Sequence, residues 1–197
     1  MKNRYYIMRH GESTANRKGL IVSEKEHALT SYGLTPMGAE RVTDVAVKTR
    51  LGSDLLIISS DFLRARETSE IMQKVIDTTT PIEFRSELRE RSFGDWHLSD
   101  DSYYELVWRN DLVAPTISSN NVETIGHVVK RGVRLINELE NTYHDRKILL
   151  VGHGDVLQIL FCHFNKIECR FHRTLPSLKN AEIRILNSEA NARYRIA

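Results

Sequence analysis

The sequence predicts an α/β fold built on an open sheet. Three short apolar runs carry that reading. Tyr5–Met8, Leu55–Ile58 and Ile148–Val151 each stop at polar residues, and a stretch with helical periodicity follows. Two of them end on a histidine beside glycine, in Arg9-His10-Gly11 and Gly152-His153-Gly154. Ligands in open α/β sheets sit outside the carboxyl ends of the strands. A site is therefore expected at these loops, with both histidines in it if the two strands are neighbours.

The remaining elements follow in order. Residues Gly19 to Gly33 lack periodicity and carry Ser23, Glu24, Lys25, Glu26 and His27, which reads as an exposed loop near the site mouth. Thr35 is a suitable N-cap and Pro36 suits the first helical position. The stripe Ala39, Val42, Val45, Ala46 and Thr49 extends that helix to Leu51, with Gly52 as its stop. A helix is expected from Phe62 to about Ile76, and a short strand at Ile82–Phe84. A short helix is expected from Ser99 to Asp111, then a polar, turn-like Ala114–Val122 suited to a lid. A long helix runs to about Tyr143 on the stripe Ile125, Val128, Val129, Val133, Ile136 and Leu139. After Val151, residues Val156 to Phe164 read as an apolar helix. The tail alternates, predicting strands at Glu182–Leu186 and Ala192–Ile196 around a tight turn. No linker, repeat or low-complexity stretch divides the 197 residues, so one domain, 1–197, is expected.

Composition narrows the function classes. With 41% hydrophobic and 27% charged residues the chain has an ordinary globular balance, and its net charge of +2 gives no reason to expect nucleic acid or an anionic membrane as partner. Arg9 and His10 interrupt the first apolar stretch too early for a signal peptide, and no run approaches the ~20 residues of a membrane helix. Two cysteines, Cys162 and Cys169, do not make a disulfide framework, so a reduced, cytoplasmic setting is expected.

Several side chains point to phosphoryl chemistry. Arginine matches phosphate geometry bidentately, and histidine can act as a nucleophile. Arg9, His10, Gly11 and Asn16 follow one another on the first strand and its loop. Arg64 falls in the first turn of a helix, against the macrodipole, where an anion explains it better than helix stability; a surface pair with Asp61 or Glu67 is the plainer alternative. Glu90 lies in a stretch with Phe93 and Trp96, and a carboxyl beside apolar rings can act as a general acid; Glu87 to Arg91 also reads as a solvated charge run.

Four motifs in order, Arg9-His10-Gly11-Glu12-Ser13 with Asn16, Arg64-Ala65 with Thr68, Leu88-Arg89-Glu90-Arg91 with Gly94, and Gly152-His153-Gly154, resemble those of the histidine phosphatase superfamily, the phosphoglycerate mutase-like family. The likeness runs from Arg4 to about Leu160. It implies a three-layer α/β/α sandwich with a mostly parallel central sheet. It also implies that His10 becomes phosphohistidine and that Arg9, Arg64 and His153 hold the phosphoryl group with help from Asn16. Glu90 would protonate the leaving oxygen, and Gly11 and Gly154 would allow close backbone approach. The helix-start motif at Glu123-Thr124 differs from the family pattern, with Val122 where glycine is usual.

The short segment after Trp96 and the compact chain favour a phosphatase over a mutase. The expectation is a metal-independent, histidine acid-type phosphomonoesterase, without cofactor, acting on a small phosphorylated metabolite. A homodimer is compatible with this reading. Arg91, with Lys18, Lys25 and Arg109, is a candidate contact for a second anionic group of the substrate. Two other classes compete: a metal-binding module using Cys162, His163, Cys169 and His172, whose spacing matches no common zinc pattern, and a catalytically silent binding member of the fold.

Overall fold

The structure, a computed structural model, describes residues 1–186 of the 197. In chain order it forms β1 (Arg4–Arg9), α1 (Thr14–Arg17), α2 (Lys25–Ala28), α3 (Pro36–Lys48), β2 (Leu56–Ser59), α4 (Leu63–Ile76), β3 (Glu83–Phe84), α5 (Tyr103–Val113), α6 (Ile125–Thr142), β4 (Lys147–Gly152), α7 (Gly154–Phe164) and β5 (Ile183–Ile185). The sheet order is β3-β2-β4-β1-β5, parallel except for β5, which runs antiparallel to β1. The expected second tail strand, Ala192–Ile196, lies outside the described residues.

Period-2 alternation along fully buried strands produces the layers. Tyr5, Ile7, Leu56, Ile58, Ile148 and Leu150 pack with Val128, Leu135 and Ile136 of α6 and Ile159 and Leu160 of α7. The intervening residues Met8, Ile57, Leu149 and Val151 pack with Val42 and Ala46 of α3 and Ala65 and Met72 of α4. β1, β2 and β4 are therefore apolar on both faces over these residues, as the continuous runs in the sequence require.

The register positions the site. Arg9 pairs with Gly152, so His10 and His153 each lie one residue past adjacent parallel strand ends. The His10 amide donates to the Gly152 carbonyl at 3.0 Å, and the Ser60 amide, just past β2, donates to Val151 O at 2.9 Å. β4 lies between β1 and β2 in the sheet, so three strand ends deliver His10, Ser60 and His153 to one edge.

Two expectations need correction. Helix α3 stops at Lys48 rather than Leu51, because Thr49 turns to an extended backbone (φ −74°, ψ 150°); Leu51 is instead buried beside β2. Thr35 caps the other end as expected, its Oγ1 accepting the Gly38 amide at 3.0 Å. The segment from Gly19 to Gly33 is no solvated loop. It contains α2, and it buries Ile21 against Phe93 and Val107 and Val22 against Phe62 and Ala28. Backbone hydrogen bonds Ile21 N to Ser99 O (3.0 Å) and Leu98 N to Ile21 O (2.7 Å) fasten it to the far side of the mouth. Burying an aliphatic side chain stabilises by roughly 1.5–3 kcal/mol, enough to offset the ~1–2 kcal/mol needed to order each backbone residue. The short run Leu20-Ile21-Val22 was the signal, masked by the charges that follow it.

Candidate active site

His10 is buried, and its two ring nitrogens have distinct partners. Nδ1 lies 2.7 Å from the Gly11 carbonyl, which only accepts, so Nδ1 carries the proton. Nε2 is left with its lone pair, and Arg64 Nε donates to it at 3.1 Å. Burial, then the charges of Arg64 and Arg9, push the His10 pKa well below its ordinary value, so the ring stays neutral.

Arg64 sits in the first turn of α4 and is oriented by a second bond, Nη2 to Val22 O at 2.9 Å. The alternative surface pairing does not form. Asp61 instead binds Arg89 through two bonds of 2.8 and 2.6 Å, and Glu67 accepts the Leu34 amide. Thr68, one turn on, ties helix to loop: its Oγ1 donates to Arg64 O at 2.7 Å and accepts the Gly11 amide at 3.0 Å. Glycine at position 11 serves packing, since a Cβ there would meet Val42 Cγ2 at 2.7 Å and Gly38 O at 2.8 Å. Loop and helix α3 thus lie closer than any side chain allows.

His153 faces His10 with ring centroids 5.2 Å apart, and its Nε2 is 2.9 Å from Ser60 Oγ. Ser60 Oγ already accepts the Phe62 amide at 3.3 Å, so its own proton is available for His153 Nε2. With that proton given to Nε2, the imidazole proton of His153 sits on Nδ1, the nitrogen turned toward the other site cations. Arg9 is anchored by Nη1 to Leu178 O at 3.1 Å. Three buried nitrogens around His10 then lack any hydrogen-bond partner among the described residues: Arg9 Nε, Arg64 Nη1 and His153 Nδ1. Unsatisfied buried donors are costly, and three in one place describe a receptor for an oxyanion.

Glu90 is half-buried beside these cations, on the wall of a cavity, and accepts the Arg91 amide at 3.0 Å. Burial and the neighbouring Asp155 charge raise its pKa to about 7, against the opposing pull of Arg64 and Arg9. Asn16 spends its side-chain carbonyl on Ser13 N (3.1 Å), Ser13 Oγ (3.0 Å) and Asn180 Nδ2 (3.3 Å), which leaves its NH₂ as the free end.

Arg91 has another employment than substrate contact. It is 2% exposed, binds Asp111 at 2.6 and 2.8 Å, and donates through Nε to Glu123 O at 2.6 Å. All three of its guanidinium nitrogens are engaged inside the protein. Gly154 is not needed for close approach either, because a Cβ there would meet Arg9 at 3.6 Å, an ordinary contact. Lys18 and Lys25 are exposed, and Arg109 pairs with Glu105 on the surface of α5. Glu123 binds Arg131 at 2.8 Å and the Ser92 amide at 3.2 Å. Among the described residues no group of three or more His, Cys, Asp or Glu is placed to hold a metal.

Other residues at the site were not anticipated. Helix α5 closes one side with an aromatic stack: Trp96 on Tyr103 (4.2 Å), Phe93 against Tyr104 (4.7 Å) and Tyr104 on Trp108 (5.3 Å). Burial, then the charge of Glu90, raises the Tyr104 pKa, which places that phenol beside the acid. The Trp108 indole donates to both oxygens of Asp155, at 3.1 and 3.0 Å. Burial works against the Asp155 charge, but His172, Arg173 and Arg91 outweigh it and hold the carboxyl below its usual range. The signal for Asp155 was a carboxylate opening an otherwise apolar helix. Asn180, whose Nδ2 donates to His10 O at 3.1 Å, gave none.

The chain matches the family described as histidine phosphatase superfamily (branch 1) over residues 5–195. It is 29% identical over 207 residues to the adenosylcobalamin/alpha-ribazole phosphatase of Escherichia coli (strain K12), covering 95% of this chain and 97% of that one. It is 28% identical over 160 residues to a probable phosphoglycerate mutase of Escherichia coli O139:H28, covering 79% and 71%. The structure of a mycobacterial glucosyl-3-phosphoglycerate phosphatase with VO₃ shares the fold at a TM-score of 0.76 and 24% identity, covering 91% of this chain and 90% of that one. Family match, similarity along nearly the whole chain and shared architecture agree: this chain belongs to the histidine phosphatase superfamily, branch 1.

Proposed function

We propose that this protein is a metal-independent phosphatase that hydrolyses a small phosphate monoester through a phosphohistidine on His10. The observation that carries the reading is the set of three orphaned nitrogens, Arg9 Nε, Arg64 Nη1 and His153 Nδ1, around a neutral imidazole whose Nε2 accepts from Arg64 Nε at 3.1 Å, a bond that an incoming phosphoryl group would displace. In the first step Nε2 attacks phosphorus and the P–O bond to the alcohol breaks. The equatorial oxygens bear negative charge in that transition state, and fixed guanidinium donors stabilise it without reorganising. Glu90, held protonated, gives its proton to the departing oxygen. In the second step the Glu90 carboxylate takes a proton from water, the water oxygen attacks phosphohistidine, the N–P bond breaks, and inorganic phosphate leaves. Two free cysteines, one of them buried, fit a reduced cytoplasmic setting.

Time-resolved mass spectrometry with a panel of phosphate esters tests the reading. The expected result is a transient phosphoryl adduct on His10 with steady phosphate release, both abolished in His10→Ala. Exchange between phosphoglycerates without release would replace the phosphatase by a mutase. Turnover retained in His10→Ala would remove the nucleophile.

A further inference from the structure

Because β5 runs antiparallel to β1, the residues that lead into β5 lie past the end of β1, at the edge that carries His10. Met8 pairs with Ile183, and the ladder continues with Arg9 N donating to Glu182 O at 3.3 Å and Ala181 N donating to Arg9 O at 3.0 Å. The lead-in, residues 178–181, holds the phosphoryl site at several points. The Leu178 carbonyl accepts from Arg9 Nη1 at 3.1 Å. The Ala181 amide also reaches His10 O, at 3.2 Å. Asn180 Nδ2 donates to the same His10 carbonyl at 3.1 Å and to Asn16 Oδ1 at 3.3 Å.

These partners fix which way both side-chain amides face. A carbonyl only accepts, so the end of Asn180 that meets His10 O is its NH₂. A backbone amide only donates, so the end of Asn16 that meets Ser13 N is its oxygen. The Asn180 NH₂ has one proton for each of its two acceptors. A turned Asn16 amide would set its own NH₂ against the Ser13 N–H and the Asn180 NH₂, donor against donor. Ser13 belongs to the same capping turn as Asn16. Asn180 lies 164 residues away in the chain, and it ties that turn to the backbone of His10. The backbone is strained to achieve this. Ala181 is buried at φ +60°, a left-handed conformation that disfavours any residue with a Cβ. Such residues persist where their surroundings over-determine them, and they cluster at functional sites.

We infer that Asn180 is a positioning residue: it locks the Asn16 amide with its NH₂ directed at the phosphoryl oxygens, and it steadies the His10 backbone beneath the nucleophile. The inference rests on the phosphohistidine reading above and adds a residue to that site. Asn180 acts through Asn16 and His10 and not on the alcohol. A group that serves the phosphoryl oxygens serves every ester alike, whereas a proton donor matters chiefly to esters with poor leaving groups.

The test is a double-mutant cycle of Asn180→Ala and Asn16→Ala. It reads kcat/KM on nitrophenyl phosphate and on the alkyl ester that the wild type hydrolyses fastest. Each single substitution should cost about tenfold, by the same factor on both esters, and the double variant should lose no more than roughly threefold beyond Asn16→Ala. Asn180→Asp keeps the size but sets carboxylate oxygens against His10 O and Asn16 Oδ1, so it should lose more than the alanine variant. Lys179→Ala, at the exposed neighbour, should leave both rates unchanged. Should Asn180→Ala fail to fold, Asn180→Ser takes its place in the cycle. Single losses that multiply in the double variant, a loss confined to the alkyl ester, or an Asn180→Ala protein as fast as the wild type would overturn the positioning role. In each of those cases the wild-type adduct on His10 leaves the phosphatase reading standing. No turnover of any ester and no adduct on His10 would overturn both.

Discussion

The substitution Glu90→Gln separates the two proton-transfer roles assigned to that side chain from its packing. An ordinary glutamic acid, with a pKa of 4.5, is protonated in about one molecule in 300 at pH 7. With its pKa raised to about 7 by burial and by the Asp155 charge, about half the molecules carry the proton at that pH. The raised pKa thus multiplies the acid form more than a hundredfold, roughly, before any chemistry occurs. Because the protonated form is the active one in the first step, kcat/KM for an alkyl ester should hold steady below that pKa and fall about tenfold per pH unit above it. Glutamine keeps the shape and removes the proton. The loss for an alkyl ester should be about 10²–10⁴-fold, the usual worth of general acid catalysis. A nitrophenyl ester leaves without protonation and should lose far less. The assay is a pair of pH–rate profiles, wild type and variant, on both esters. Equal losses on the two esters, or a basic limb that survives in Glu90→Gln, would refute the acid assignment.

Arg64→Lys keeps the charge but cannot bond both His10 and Val22 while offering a further donor; kcat should fall about 10²–10³-fold, measured by steady-state kinetics beside an unchanged melting curve. Asp111→Ala strips Arg91 of a buried partner and should lower unfolding free energy by about 3–5 kcal/mol in a urea titration; a change under 1 kcal/mol, roughly, would mean water replaces the carboxylate. Inorganic phosphate should satisfy the orphaned donors and raise Tm, with about 2.7 kcal/mol of stabilisation at one hundred times its Kd. Arg64→Ala should abolish that shift in differential scanning fluorimetry, and a shift of unchanged size would place the phosphate elsewhere.

The strands were legible because they are buried on both faces. A run such as Ile148–Val151 has no reading in which half its side chains meet water, so it announces a central strand covered by helices on each side. His10, Arg64 and His153 were legible for a related reason. His10 and His153 directly follow plainly apolar strands, and Arg64 opens the helix after a third, so a polar residue of strong chemistry at that point stands out. Segments whose burial is achieved by residues far away in the chain were not legible. Ile21 is buried by Phe93, Val107 and Val122, none within reach of a sequence window. The fate of Arg91 depended on Asp111 and on the carbonyl of Glu123, partners that only the fold brings to it. The same charge run that looked solvated from Glu87 to Arg91 is divided by the structure: Glu90 is half-buried at the site, Arg91 is buried behind it, and Arg89 is held by Asp61 at the mouth.

That division explains how one short stretch can hold a carboxyl at a near-neutral pKa. Two guanidiniums on the site side favour the Glu90 anion, and burial works against them. Asp155 opposes them from the first turn of α7, where Trp108, Arg91, Arg173 and His172 keep it charged. The negative charge is thus stabilised behind Glu90, by groups gathered on Asp155. The acid in front then remains free to change its protonation state. Burial is the larger cause of the raised Glu90 pKa and Asp155 adds to it, and helix α5 reaches Asp155 through the Trp108 indole, so the aromatic wall and the carboxyl at the site share one buried carboxylate.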